Sequence, residues 1–363
     1  MTFDEARALF PVLRERAYLN AGTFGPLAAR VAERVRDQLE RDVEHGRAGR
    51  VYIEEMLELR LRLRARIGEL LGAGPDQVAL TSSTTDGCNI VLAGLGLGPD
   101  EEIVTTDAEH FGLAGPVFTS GARVRVARVE GRAAGEAEDL IAAEVTPRTR
   151  LIALSHVLWT TGHVIDVHAL RKRAGVPLLV DGAQSIGAIP VDVGDLDYYT
   201  VSGQKWLCGP ESMGALYVRD VDALRVARPS YFAQDSFEPG GAFVVRAGAT
   251  RFDPGWTAVG GLRGLLEAID LAPDWRFARI RELAGRCRDA LAGAGVEVVT
   301  ERGHAGLVTF RPDEGSADCV DRAWERGVVL RELPGKGWAR ASCGWWNNED
   351  DVDRLVDAVT AAT

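Results

Sequence analysis

The sequence predicts an α/β protein with two lobes: a large one built on a mostly parallel sheet with helices on both faces, then a smaller α+β one. Three observations predict this. The chain has 363 residues, 46% hydrophobic and 26% charged, enough for one large core and a second, smaller one. Between residues 77 and 218, short apolar runs that end on a polar residue and a loop alternate with helical stretches, as strands buried on both faces require. After residue 260 or so, that alternation gives way to two helical patterns and then to short strands mixed with helices.

Taken in order, "LAARVAERVRDQLERDV" and "EEMLELRLRLRARIGELLG" space their apolar residues as helices do, the second closing on a glycine. Seven β-rich runs follow: "QVALT", "EEIVTT", "RVRVARV", "RLIALS", "PLLVD", "YYTVS" and "GALYV". The Ala/Gly-rich patch at 131–137 reads as a loop. "GGLRGLLEAIDLA" and "DWRFARIRELAGRCRDALAGAG" read as helices. Beyond them come the strand-like "VEVVT", "AGLVTF", "GVVLR" and "WARAS", with helices at 316–326 and 348–361. This divides the chain into an N-terminal segment, 1–20, packing with the small domain, a large domain, 21–255, and a small C-terminal domain, 256–363.

The formal net charge of −11, without a basic block, argues against nucleic acid or an anionic membrane as the main partner. "MTFDEARALFPVLRER" lacks the apolar core of a signal peptide, and no stretch reaches the roughly 18 apolar residues of a membrane span. Five scattered cysteines without a CxxC pair indicate reduced thiols. These features place the protein in the cytoplasm.

In a sheet of this kind ligands sit where the strands end, and four strand ends stand out. "ALTSSTTDGCNIVLAGL" delivers Thr81 to Thr85 into the start of a helix, a phosphate site by geometry. "VPLLVDGAQSIG" ends an apolar strand on Asp181, a buried acid that needs a cation, a metal or a protonated ring nitrogen, with Gln184 three residues on. The six histidines lack metal-ligand spacing, so no metal is expected. "TTDAEHFGLAGP" places Glu109 and His110 in a loop, and "VSGQKWLCGPESMG" sets Lys205 among apolar neighbours. A phosphate cup, a buried carboxylate, a flat histidine and a desolvated lysine together match pyridoxal 5′-phosphate. The carboxylate keeps the ring nitrogen protonated, and the lysine, its pKa lowered by burial, forms the Schiff base.

The sequence also resembles the class V aminotransferase and cysteine desulfurase group of fold type I pyridoxal phosphate enzymes. "YLNAGTFGPL", "TSSTTDGCN", "AEH", "HVLWTTGHVIDV", "LVDGAQSIGAIPVDV", "SGQKWLCGPESMG" and "RASCGWWNNEDDVDRLVDAV" are similar to that group's motifs and stand in the same order. The resemblance implies a large domain with a mostly parallel seven-stranded sheet, a smaller α+β domain and a homodimer. It implies that Thr84, Thr85 and Ser202 cradle the phosphate and that His110 stacks on the ring. It implies too that Asp181 pairs with the ring nitrogen, that Gln184 bonds the phenolic oxygen, that Lys205 is the Schiff-base lysine and that Arg340 grips the substrate carboxylate.

Three departures narrow the function. Between Arg331 and Arg340 the chain reads "ELPGKGWA", without the cysteine that desulfurases carry on this loop, so persulfide transfer is disfavoured; Cys208 and Cys343 read as packing residues. Gln204 stands where desulfurases have a histidine, and Trp159 where they have an asparagine near the ring. In "RFDPGWTAVGGL" Thr257 is shifted by one from the threonine that reaches the partner subunit's phosphate. Six of the eight tryptophans fall on or beside these loops, as an aromatic substrate pocket or as a seal between lobes. The expected activity is β-elimination of the carbon–sulfur lyase type on an L-amino acid with a bulky side chain. Transamination or epimerisation is the alternative; the presence of both Lys205 and Arg340 argues against a non-catalytic scaffold.

Overall fold

The computed structural model describes residues 1–303 and 305–361. The large sheet has seven strands: β1 (Val78–Thr81), β2 (Glu102–Thr106), β3 (Arg123–Ala127), β4 (Thr149–Ser155), β5 (Leu178–Asp181), β6 (Tyr198–Ser202) and β7 (Gly214–Val218). Their order is β1-β7-β6-β5-β4-β2-β3. Only β7 runs against its neighbours; the other pairs are parallel.

Every residue of β1, β2, β5, β6 and β7 is buried, so these strands read as continuous rather than alternating apolar runs. One face packs on Leu63, Ile67 and Leu170, the other on Val91, Leu113 and Val117. The edge strand β3 carries Arg123 and Arg125, charges that blunt an open edge. The shared strand direction brings the ends of β2, β4, β5 and β6 to one rim. Two successive antiparallel pairings leave β1 pointing the same way, which adds Thr81 to that rim.

The small lobe is a four-stranded sheet in the order Glu297–Val298, Leu307–Arg311, Trp338–Ser342, Arg331–Leu333. Helices Arg276–Gly293, Ser316–Glu325 and Glu349–Thr360 complete its core through Leu283, Cys319 and Leu355. The N-terminal segment docks on this lobe. Ala17–Tyr18 pairs in parallel with Val328–Val329, Arg7 Nη1 lies 2.7 Å from Asp351 Oδ2, and Phe10 packs edge-on against Trp345.

The packing bears on two sequence expectations. Helix Val259–Leu271 buries Leu262, Leu265, Leu266 and Ile269 in the large-lobe core beside Leu59 and Leu63, so the division at 255/256 falls too early. The small lobe begins instead with the helix that starts at Arg276. Helical periodicity reveals an apolar face but not which lobe that face meets. Trp206, Trp345 and Trp346, offered as pocket walls or as a seal, belong to the seal: they are buried with Phe10, Leu13 and Leu307 where the N-terminal segment meets both lobes. The sequence reading also missed the exposed hairpin Gln234–Phe237/Phe243–Val245.

Candidate active site

β1 ends in a turn that starts helix Thr84–Leu95. Ser83 caps it by accepting the Asp86 N–H at 3.1 Å, which leaves the Thr84 and Thr85 amides without an acceptor among the described residues. Their hydroxyls lie at the same helix end. Close approach is built in from the facing helix Phe111–Phe118, where a Cβ on Gly112 would stand 2.6 Å from Thr85 Oγ1. The result is an anion cradle of free N–H groups at a helix N-terminus.

Asp181 closes β5 and is 3% exposed. The Ala183 N–H at 2.9 Å and the Thr200 hydroxyl at 3.4 Å both donate to Oδ1, so Oδ2 is left for another donor. Gln184 is buried, with its amide donating to the Gly22 carbonyl at 2.8 Å and accepting the Trp206 indole N–H at 3.0 Å. One Nε2 hydrogen remains for a ligand oxygen. Ser202 donates its hydroxyl to Gln204 Oε1 at 2.9 Å, so this serine reaches an anion only with its lone pairs or after turning.

Lys205 lies in the turn after β6 and is partly buried. Burial, reinforced by repulsion from Arg340 and opposed by Asp181, lowers its ammonium to about 8. A usable share of free amine therefore exists near neutral pH. His110 caps helix Phe111–Phe118, with Nδ1 accepting the Gly112 N–H at 3.0 Å and its ring 5.2 Å from Trp159 in an edge-on pair. Burial and Lys205 lower its pKa, which favours the neutral ring.

Arg340 reaches this rim from the small lobe. It is 2% exposed, donates from Nη1 to the Trp159 carbonyl at 2.7 Å, and has a buried Nε with no partner among the described residues. No carboxylate lies within 4.0 Å of it among the described residues. Burial and the neighbouring Arg331 lower its pKa to about 9. The buried Trp159 indole N–H also lacks a partner among the described residues. The structure thus brings together Thr84, Thr85, His110, Trp159, Asp181, Gln184, Ser202, Gln204, Lys205 and Arg340. Thr257 is not joined to them: it sits in the loop after Asp253, with no hydrogen bond to any of them.

Sequence reasoning missed three features here. Gly22 supplies the carbonyl for Gln184, and a Cβ there would stand 2.6 Å from Arg340 Nη2; the quoted "LNAGTFG" held that signal. Glu109 accepts from Thr106 Oγ1 at 2.7 Å, Ser155 Oγ at 2.6 Å and Ser155 N at 3.0 Å, while burial still raises its carboxyl to about 7. Arg331 stands opposite Arg340 across two paired strands, so the two side chains share a face, which spacing alone does not reveal.

Residues 18–355 match the family model of class-V aminotransferases. An isopenicillin N epimerase from Amycolatopsis lactamdurans is 30% identical, covering 94% of both chains. The Escherichia coli cysteine desulfurase CsdA is 28% identical over 98% of this chain and 96% of its own. Two solved structures of the cystine C–S lyase C-DES, each 27% identical, superpose well. The complex with its product cysteine persulfide gives a TM-score of 0.90 over 97% of this chain and 99% of that one. The lysine-to-alanine variant with glycine covalently linked to the PLP cofactor gives 0.93 over 98% and 99%.

Proposed function

The chain belongs to the class-V aminotransferase family, and from that premise we propose that it is a pyridoxal phosphate-dependent carbon–sulfur lyase acting on an L-amino acid with a bulky side chain. When bound, pyridoxal 5′-phosphate supplies an aldehyde that captures amines and a ring that accepts the electrons of a broken bond at Cα. The residues present fit it: free amides at a helix start for the phosphate, Oδ2 of Asp181 for the ring nitrogen, and Lys205 beside both. His110 supports the ring, and Gln184 has one amide hydrogen for its oxygen.

The observation that carries the reading is Arg340, a buried cation with no acid partner among the described residues. Its fork takes the substrate α-carboxylate, held in aim by the Trp159 carbonyl, and so turns the Cα–H bond toward Lys205. Lys205 Nζ, neutral in useful amount, removes the α-proton. The substituent on Cβ then leaves as a thiol or persulfide, and the remaining fragment hydrolyses to pyruvate and ammonia. Cys208 and Cys343 are buried with thiols pushed far up, so neither serves as a persulfide acceptor. C-DES, which resembles this chain over nearly its whole length, is a cystine C–S lyase, and that supports elimination.

A second reading, epimerisation, is favoured by the 30% identical epimerase; there the α-proton returns on the opposite face. We further propose a cytoplasmic homodimer in which Thr257 completes the neighbouring subunit's phosphate site, supported by its separation from its own chain's cluster and by the exposed Trp256 beside it. No described helix is long and apolar enough to cross a membrane.

The test is a panel of cysteine conjugates and ordinary amino acids. Pyruvate, ammonia and a thiol, without accumulation of the pyridoxamine form, support the lyase; pyridoxamine that a keto acid reverses, or racemised substrate, replaces it. Borohydride reduction should fix the cofactor to Lys205, one of only three lysines in the chain with Lys172 and Lys336. A label elsewhere overturns that assignment. Mixing Lys205→Ala with Thr257→Val subunits should restore activity if sites are shared; no recovery from a mixed dimer rejects the sharing.

A further inference from the structure

Arg340 lies on one arm of a hairpin, Arg331–Leu333/Trp338–Ser342, whose register pairs Arg331 with Arg340 and Leu333 with Trp338. The tip between the arms turns through Gly335 and Gly337, both with positive φ (73° and 68°), and presents Lys336 outward. Lys336 Nζ reaches across the lobes to both oxygens of Glu130, at 2.7 and 2.6 Å. Glu130 is itself fixed: its backbone N–H and that of Val129 donate to Asp107 Oδ1 at 3.0 and 2.9 Å. Asp107 follows β2 directly and stands three residues before His110.

We infer that the Glu130–Lys336 ion pair is a positioning latch for the active site, tying the hairpin that carries Arg340 to the segment that carries His110. It rests on the proposed role of Arg340 as the grip for the substrate carboxylate. The base of the small-lobe sheet is held independently, by Thr309 Oγ1 donating to the Thr160 carbonyl at 2.6 Å and Thr300 Oγ1 to the Thr161 carbonyl at 2.7 Å. The sheet is thus anchored at its base by neutral hydrogen bonds and the hairpin at its tip by an ion pair. Arg340 pairs directly with Thr309, so losing the base bonds would shift the whole sheet, whereas losing the tip frees the outer end of the hairpin, two residues from Arg340, and loosens its aim. The pair is partly exposed, side chains at 29% and 25%, so dissolved salt reaches it.

Three measurements on the cofactor-loaded enzyme test the latch. Lys336→Met and Glu130→Gln should each raise the KM for the amino acid about fivefold, as expected for a partly exposed ion pair, with a smaller change in kcat. Wild-type KM should climb with sodium chloride and the variants' KM should not. The reversed pair, Glu130→Lys with Lys336→Glu, should recover most of the loss. A wild-type KM and salt response in Lys336→Met, or no recovery in the reversed pair while thermal unfolding stays unchanged, overturns the latch. Arg340→Leu is measured alongside: if its KM is unaltered, the carboxylate reading has failed; if its KM rises while the latch variants stay normal, only the latch has.

Discussion

The two lobes each bury arginine, and they treat it in opposite ways. In the large lobe Arg60 and Arg64, on helix Gly49–Leu71, converge on Asp253, which is 0% exposed. Arg60 Nη2 lies 2.5 Å from Oδ2, Arg64 donates through both terminal nitrogens, and the Leu80 N–H of β1 reaches Oδ1 at 2.9 Å. Arg340 of the small lobe is equally buried, and among the described residues it meets only the Trp159 carbonyl, with its Nε unpaired. A buried cation answered by the chain's own acid holds the fold; one left unanswered marks where a carboxylate from outside belongs.

The largest effect should come from breaking the answered cluster. Asp253→Ala leaves two buried cations with no acid and should cost about 3–5 kcal/mol in urea unfolding; a loss below that of an ordinary surface substitution would erase the contrast. Arg340→Leu should do the reverse, with unchanged or higher thermal stability but a KM for amino acids raised about 100-fold, the scale of a lost buried charge pair. A drop in stability with normal KM would make Arg340 structural too.

Glu109 sharpens the comparison from the acid side. Its folded-state pKa, about 7, lies above its value of 4.5 in the open chain, so its contribution to stability is present below 4.5 and is lost as pH rises through about 7. Glu109→Gln should therefore gain about 1–3 kcal/mol over wild type at pH 8 and little at pH 5, by urea unfolding at both values. An equal gain at both would show that the carboxyl ionises freely. The smallest effect concerns Trp159. Trp159→Phe removes a buried N–H without a partner and should stabilise the free enzyme by about 1 kcal/mol in thermal unfolding. If it destabilises instead, that N–H is paired in the folded protein.

The strand ends were legible because burial on both faces leaves apolar runs that stop on a polar residue; Asp181, Ser202 and the Thr84 turn follow from that pattern. Lys205 was legible because a lysine between Val201 and Trp206 makes a poor surface. The Arg60–Arg64–Asp253 cluster was not, since arginines on an amphipathic helix read as its wet face and their acid lies 193 and 189 residues away. The Glu130–Lys336 pair spans 206 residues and hid for the same reason. In both cases the partner is chosen by tertiary packing, which local spacing does not encode. The Gly22 approach to Arg340 lay inside a quoted motif, but its meaning needs the guanidinium in place.

The parallel pairing of Ala17–Tyr18 with Val328–Val329 has a consequence for how the chain is made. A ribosome adds about 5–20 residues per second, so the roughly 300 residues between these strands take about 15–60 s to appear. The large lobe can close over its own sheet in that interval. The N-terminal segment cannot, because the cluster that buries Phe10 and Leu13 is not complete until Leu307, Trp345 and Trp346 emerge. Residues 1–20 are made long before the strand they pair with and settle only after it, and the Arg340 site, which Gly22 abuts, is completed at that stage.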